Sequence, residues 1–180
     1  MPRLFLGIGL PDPVGFDIQI MAGGIPGARW QTREQLHLTL HFLGDLDGGE
    51  ARRLSAALEQ LEAPSFAARL SNVGVFPLRG QPRSLWAGVA DPEPFRLIHD
   101  RSARILDQLG IERERRKFYP HATLARLKHA DPRRLGEWIT GHAVYASPPF
   151  RVDEVRLYSS VLSHAGAKYR IEAVYPLTPA

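Results

Sequence analysis

A four-residue frame occurs twice in the sequence, as His37-Leu38-Thr39-Leu40 and as His121-Ala122-Thr123-Leu124, with the two histidines 84 positions apart. Successive side chains of an extended strand alternate between two faces, so each histidine and the threonine two positions later point the same way. The apolar residues between and after them point the other way, toward a core. The repeat therefore predicts two similar half-buried strands, each of which presents an imidazole and a hydroxyl on one face.

Composition limits the classes of protein to which the chain can belong. Its 180 residues, 44% hydrophobic and 23% charged, suit one folded domain or two small packed lobes. The absence of cysteine excludes disulfides and thiolate metal sites. No segment is apolar enough to span a membrane, and the short run Leu4–Leu10 lacks the length of a signal peptide, so we predict a cytoplasmic protein. The formal charge of +4, mostly from arginine, favours an anionic partner such as RNA.

Hydrophobic periodicity predicts strands and helices in a rough twofold order. The strands are expected at Leu4–Leu10, Gln35–Phe42, Phe66–Val75, Ser84–Ala90 and Tyr119–Leu127, with a final hairpin of Val152–Val161 and Tyr169–Tyr175 around the turn 163–166. The helices are expected at Phe16–Met21, after an Asp47/Glu50 capping box, from Pro94 to Leu109 and from Asp131 to Gly141. This order predicts an α+β fold of two similar lobes, each with one motif strand, facing each other across a cleft.

Paired histidines and threonines suit phosphodiester hydrolysis. An unperturbed imidazole titrates near pH ~6.5, so one can act as a base toward water while the other, protonated, acts as an acid toward the departing oxygen. The threonine hydroxyls can donate hydrogen bonds to the phosphoryl oxygens. A Ser-His-Asp triad stays open as an alternative, although the chain has no Gly-x-Ser-x-Gly elbow.

Metal chemistry is the obvious competitor, because His37 and His41 have the spacing of helical zinc ligands. On a strand, however, four residues span about 13 Å, too far for two ligands of one ion. The frame also has no glutamate to act as a base, and the chain has no acidic cluster suited to magnesium. We therefore expect chemistry without a metal ion or other cofactor.

Longer stretches around both frames resemble a known family. The stretches Arg29-Trp30, 35–44 and 118–126 are similar to the signature of the two-histidine phosphoesterase superfamily, and more narrowly to its LigT branch. That branch contains the RNA 2′,3′-cyclic phosphodiesterases, which are also called 2′-5′ RNA ligases. The likeness extends through Phe76-Pro77, 82–89 and the tail 157–169, and so covers nearly the whole chain. One departure is His41, where the branch commonly has Lys or Arg, so a phosphate contact there is expected to be weaker or pH-dependent.

The resemblance implies a fold, an activity and roles for five residues. The fold is one α+β domain over residues 1–180, with two pseudo-twofold-related lobes, antiparallel or mixed sheets around a central basic cleft, and helices outside. The activity is hydrolysis of RNA 2′,3′-cyclic phosphate ends to 2′-phosphates, together with reversible 2′-5′ ligation, by a monomer acting in RNA processing. His37 is implied to donate a proton to the leaving oxygen and His121 to accept one from water. Thr39, Thr123 and Arg126 are implied to hold the phosphate.

Arg126 is the uncertain member of this set, because it lies five positions after His121. A regular strand places such a pair on opposite faces, so Arg126 reaches the cleft only if a bend or bulge intervenes. A surface salt bridge is the alternative role.

Other residues receive simpler interpretations. Phe42 and Trp86 are expected in the core rather than as stacking platforms for a base. The basic cluster of Arg113, Arg115, Arg116 and Lys117 is a solvated charge run or, because it precedes His121, a phosphate-facing group. The remaining histidines are expected on the surface or satisfied by hydrogen bonds: His99, His129, His142 and His164.

Two other functions stay open. One is a non-catalytic module that binds RNA ends or nucleotides, although the intact His and Thr of both frames argue against it. The other is a phosphodiesterase that acts on a small cyclic nucleotide or on a 2′-5′ oligonucleotide.

Overall fold

The computed structural model describes residues 3–164 and 166–180. Their strands are β1 (Arg3–Gly9), β2 (Ala28–Trp30), β3 (His37–Asp45), β4 (Phe66–Ala68), β5 (Leu70–Phe76), β6 (Ser84–Val89), β7 (Ala122–Leu127), β8 (Phe150–Val152), β9 (Glu154–Ser163) and β10 (Gly166–Pro176). Their α-helices are α1 (Asp12–Met21), α2 (Gly48–Leu58), α3 (Glu93–Gln108) and α4 (Pro132–Gly141), and a 3₁₀ turn covers Arg33–Gln35. Among the described residues, no helix has the length and apolar character needed to cross a membrane.

The two motif strands lie next to each other at the centre of one large sheet. Its order is β10-β9-β1-β3-β7-β6-β5, with β2 also paired to β7, and every pair of named strands is antiparallel. The seam between β3 and β7 is a single pair, Leu38 with Ala122. Outward from this seam the order β3-β1-β9 on one side matches β7-β6-β5 on the other. The predicted α+β architecture with two similar halves is therefore confirmed.

Each motif strand contains a β-bulge at the same place. Against β1, the partners of Gly7 and Leu6 are Thr39 and His41, so Leu40 is the extra residue of β3. Against β6, the partners of Trp86 and Leu85 are Thr123 and Ala125, so Leu124 is the extra residue of β7. A bulge shifts the alternation of faces by one residue. Beyond it, the fifth residue after each motif histidine returns to the histidine's face.

The opposite face of the sheet carries the core. Leu38 and Leu124 are fully buried and belong to one apolar cluster with Leu54 and Leu58 of α2 and Phe95 of α3. The helices therefore cover the face away from the histidines. The burial of a helix's apolar stripe is the main source of its stability, and propensity contributes less.

Helix ends follow the predicted chemistry. The Asp47 carboxylate accepts hydrogen bonds from the backbone amides of Gly49 and Glu50, at 2.7 and 2.8 Å, and the Glu50 carboxylate accepts one from the Asp47 amide at 3.0 Å. Gly110 follows α3 with φ +69°, a conformation that glycine adopts without strain. Asp131 caps α4 through the amide of Arg134.

Several predicted boundaries are wrong. The strand expected at Phe66–Val75 is broken at Arg69, because β4 pairs with β8 in a separate two-stranded sheet while β5 joins the large sheet. Helix α1 begins at Asp12 rather than Phe16, since Pro13 occupies its first turn, where proline fits. The second motif strand begins at Ala122 rather than Tyr119. Ala165, in the turn of the predicted hairpin, lies outside the described residues.

Candidate active site

The two frames open onto one cleft of about 1450 Å³. All five residues proposed from the sequence line it: His37, Thr39, His121, Thr123 and Arg126. His37 and Thr39 come from β3, and Thr123 and Arg126 from β7. His121 immediately precedes β7. The structure thus brings both His-x-Thr frames to a single place.

The β7 bulge explains how Arg126 reaches the cleft. Leu124 and Ala125 are both fully buried, although they are consecutive, and the next residue, Arg126, is exposed. The alternation therefore restarts after the bulge with Arg126 on the face of Thr123. The condition stated from the sequence, a bend or bulge between His121 and Arg126, is met.

Both motif imidazoles are oriented by a backbone carbonyl two residues earlier. The Nδ1–H of His37 donates to the oxygen of Gln35 at 2.7 Å, and that of His121 donates to the oxygen of Tyr119 at 2.6 Å. In the neutral ring this leaves Nε2 without a proton, so Nε2 is the atom available for acid-base chemistry. In the first frame the Thr39 hydroxyl donates to His37 Nε2 at 3.0 Å.

Burial makes both imidazoles weak bases. Burial, followed by the positive charges of Arg126 and His121, lowers the pKa of His37 to about 4, although the hydrogen bond to Gln35 opposes the shift. The pKa of His121 is also lowered, first by burial and then by Arg126, against the hydrogen bond to Tyr119. Both rings are therefore neutral at pH 7 in the empty cleft.

Aromatic side chains form the walls that bury these rings. The His37 ring lies 4.8 Å from Phe5 and 5.1 Å from Tyr169, measured between ring centroids. The His121 ring lies 5.1 Å from Phe76 in an edge-to-face arrangement. These walls come from β1, β5 and β10, which are distant in the chain from both frames, so the local pattern of the frames does not predict them.

Phe42 and Trp86 have different outcomes. The prediction that Phe42 is a core residue is wrong, since 58% of it is exposed and it lines the cleft. The cause is the β3 bulge, which turns Phe42 to the cleft face as the matching bulge turns Arg126. Phe42 and Arg126 thus occupy equivalent positions in the two halves. Trp86 is buried, as predicted, with only 8% of its surface exposed.

His41 turns toward helix α3. Only 4% of it is exposed, and its Nε2–H donates to the carbonyl oxygen of His99 at 3.0 Å, with the Ser102 hydroxyl at 3.1 Å. Burial, followed by the neighbouring His99, lowers its pKa to about 4. His41 nevertheless lines the cleft, so the weaker or pH-dependent phosphate contact expected there stays a prediction.

The basic cluster before His121 is divided. Arg113 forms a two-point ion pair with Asp107, at 2.9 and 2.8 Å, and is mostly buried. Arg116 and Lys117 instead line the cleft, where Arg116 also pairs with Glu114. A phosphate-facing role stays a prediction for Arg116 and Lys117. Three further arginines, which no motif of the sequence singles out, also line the cleft: Arg3, Arg79 and Arg83.

Comparison with known proteins places the chain in a family. The family model described as LigT like Phosphoesterase matches residues 8–86 and 89–169. The chain belongs to the LigT-like phosphoesterase family. The predicted membership of the two-histidine phosphoesterase superfamily is thereby confirmed, and the chain is an enzyme of the hydrolase class.

Individual relatives agree with this assignment. Over 143 residues the chain is 38% identical to an RNA 2′,3′-cyclic phosphodiesterase of Thermus thermophilus, a match that covers 73% of this chain and 71% of that protein. It is 31% identical over 146 residues to an RNA 2′,3′-cyclic phosphodiesterase of Aeropyrum pernix, covering 76% and 79%. A crystal structure from Thermus thermophilus has the same fold, with a TM-score of 0.77, 30% identity and 97% of each chain covered.

Proposed function

We propose that this LigT-like phosphoesterase hydrolyses the 2′,3′-cyclic phosphate end of RNA to a 2′-phosphate without a metal ion. One observation carries the proposal: two His-x-Thr frames, both with Nε2 available, line one cleft together with Arg126. The relatives named RNA 2′,3′-cyclic phosphodiesterase support RNA ends as the substrate. The five cationic side chains of the cleft outside the two frames add support for an anionic chain: Arg3, Arg79, Arg83, Arg116 and Lys117.

In the proposed reaction the histidines act on opposite sides of phosphorus. His121 Nε2 takes a proton from water as the water oxygen bonds to phosphorus. The bond from phosphorus to O3′ breaks, and His37 Nε2–H supplies the proton that O3′ needs. The products are a 2′-phosphate and a free 3′-hydroxyl, with one proton gained by His121 and one lost by His37. The assignment of the two roles follows the family resemblance.

Three other side chains hold the phosphate in this proposal. Arg126 offers two parallel N–H groups to the non-bridging oxygens, and Thr39 and Thr123 each offer a hydroxyl. Thr39 already donates to His37 Nε2 at 3.0 Å, so it exchanges that partner for the phosphate when substrate binds. Phe42, exposed on the opposite half of the cleft, offers its ring face to the terminal base.

The negative substrate supplies the protonation that the empty cleft lacks. Since burial keeps both imidazoles neutral at pH 7, neither can act as the acid before substrate binds. A phosphodiester carries a negative charge, which favours the imidazolium form beside it. Substrate binding therefore draws in the proton that His37 later donates. The same arrangement supports 2′-5′ ligation, in which a ribose 5′-hydroxyl replaces water: its oxygen bonds to phosphorus as His121 takes its proton, the bond from phosphorus to O3′ breaks, and His37 protonates O3′.

Metal independence is proposed from the donor groups of the site. Within residues 3–164 and 166–180, no three His, Cys, Asp or Glu groups lie close enough to form a metal site. We further propose that residues 1–180 act as one domain and as a monomer in the cytoplasm. The shared sheet across the β3–β7 seam supports a single domain.

The test is turnover of an RNA oligonucleotide that ends in a 2′,3′-cyclic phosphate, in EDTA, with identification of the product. We expect a 2′-phosphate, and losses of at least ~10²-fold for His37→Ala and for His121→Ala. His142→Ala is the control, since His142 packs on Trp138 outside the cleft. Activity that disappears in EDTA and returns with zinc or magnesium would refute metal independence, and a 3′-phosphate product would refute the direction of cleavage.

A substrate with sulfur in place of O3′ separates the two roles. A thiolate leaves with little protonation, so this substrate should restore turnover by His37→Ala and leave His121→Ala impaired. Restoration of His121→Ala instead would reverse the assignment. Binding of RNA ends with no turnover of either substrate would identify a binding module rather than an enzyme of this specificity.

A further inference from the structure

We propose that a stack of three rings, His41, His99 and Phe118, positions the acceptor histidine, His121, against the first motif strand. The inference rests on the proposed role of His121. His41 lies four residues after His37, and Phe118 lies three residues before His121. The stack therefore connects one frame to the other by a route that does not pass through the sheet.

The three rings are in direct contact. The centroids of His41 and His99 are 4.3 Å apart with 22° between the ring planes, and those of His99 and Phe118 are 4.2 Å apart with 7° between the planes. At its inner end the stack is fixed to α3, because His41 Nε2–H donates to the His99 carbonyl oxygen. Ser102, fully buried beside it, donates to the carbonyl oxygen of Ile98 at 2.8 Å.

The segment before His121 needs such a support. Within the described residues, no turn or loop backbone–backbone hydrogen bond involves residues 112–120, and this stretch has no regular secondary structure. Side chains anchor it instead. At one end Arg113 pairs with Asp107. At the other end Phe118 stacks on His99, and Tyr119 packs against Trp86. The carbonyl that orients His121 belongs to Tyr119, the residue directly after Phe118. A displacement of Phe118 therefore reaches the His121 ring through one peptide unit.

The first frame needs no such support for its histidine. His37 is the first residue of β3 and pairs with Gly9 of β1, so the sheet itself holds it. The residue equivalent to His41 in the second frame is Ala125, which has no side chain that can build a stack. The three-ring stack is thus present in only one half of a pseudo-symmetric site. It supports His121, which precedes β7 and is not one of its paired residues.

The test removes the outer ring and keeps the chemistry. For Phe118→Ala we expect a loss in kcat of about 10- to 100-fold, the scale for a misplaced catalytic group, with KM changed less than about threefold. Phe118→Tyr keeps the ring and should restore the rate. His142→Ala is the matched control, because it removes a histidine stacked at 4.0 Å on Trp138 away from the cleft. His99→Ala, which removes the middle ring, gives a second variant if Phe118→Ala is poorly folded.

A double-mutant cycle separates positioning from a general structural role. Since the stack acts through His121, adding Phe118→Ala to the His121→Ala variant should not lower kcat any further. Losses that multiply, or a Phe118→Ala rate equal to that of His142→Ala, would overturn the inference. A His121→Ala enzyme as fast as the unmodified one would instead overturn the proposed function on which the inference rests.

Discussion

A phosphate anion in the cleft should raise the pKa of His37 from about 4 toward 7. The starting value results from burial, with Arg126 and His121 as further causes. A phosphate oxygen hydrogen-bonded to Nε2 places its charge about 4 Å from the ring, where one unit of charge contributes about 4 kcal/mol at an effective dielectric constant of ~20. At 1.36 kcal/mol per pKa unit this corresponds to a rise of about 3 units at most. The sign is upward because a negative charge favours the imidazolium form.

Histidine NMR titration measures this shift directly. Protein labelled with ¹⁵N-histidine is titrated with and without inorganic phosphate, or with a nucleoside 2′-phosphate as a product analogue. Spectra of His37→Ala and His121→Ala assign the resonances, and His142, outside the cleft lining, serves as an internal control that phosphate should leave unchanged. A His37 that titrates near pH ~6.5 in the free protein, or at the same pH with and without phosphate, would refute the reasoning.

The same electrostatics predicts how the two pH profiles of turnover differ. The profile of kcat/KM reports the free enzyme, and that of kcat reports the enzyme–substrate complex. Both should be bell-shaped, because the active state of the pair carries one proton, and their limbs belong to the pair rather than to either ring. Since substrate raises the pKa of both rings, the bell for kcat should lie at higher pH than the bell for kcat/KM.

Three further predictions concern the phosphate contacts, the base contact and stability. Arg126→Gln keeps a polar side chain without the charge, so KM for the cyclic phosphate should rise by about 10-fold or more. Thr123→Val should lower kcat by about 10²-fold, because it removes one hydrogen-bond donor to the transition state. Phe42→Ala should raise KM for RNA but leave inhibition by inorganic phosphate unchanged. This prediction would fail if Phe42 packed in the core. His37 and His41 have pKa values below those of the unfolded chain, so their stabilising contribution is full above pH ~6.5 and is lost as pH falls toward 4. Urea unfolding should show a loss of about 4 kcal/mol at most in the free energy of unfolding between pH 7 and pH 5, and a smaller loss in His41→Ala.

Pairwise patterns in the sequence correctly predicted that the two His-x-Thr frames line one cleft. The His-x-Thr spacing requires only the alternation of a regular strand, and that regularity holds from His37 to Thr39. It ends at the next residue in both frames, because Leu40 and Leu124 are each the extra residue of a bulge. Arg126 was placed correctly only on the condition of a bulge, and Phe42 was placed wrongly because the same condition was not applied to the first frame.

Other parts of the site depend on contacts between distant segments, which no local pattern carries. Tyr169 reaches His37 from β10, and Phe76 reaches His121 from β5, so the burial that lowers both pKa values follows from sheet order. The break of the predicted strand at Arg69 also depends on distant segments, because each half of that strand has apolar residues suited to pairing. Only the available partners, β8 for one half and β6 for the other, separate them.

The two bulges give the pseudo-symmetric cleft a direction. In-line displacement needs different groups on the two sides of phosphorus, yet two identical His-x-Thr frames offer the same groups on both. The residue that each bulge returns to the cleft breaks this equivalence, with Arg126 in one half and Phe42 in the other. A guanidinium beside one frame favours the phosphate, and an exposed ring beside the other favours a base, so a nucleotide end binds in one orientation of the two that symmetry allows. Exchange of the two residues in the double variant Arg126→Phe and Phe42→Arg should therefore reduce turnover more than it reduces phosphate binding, because the anion site survives on the wrong side.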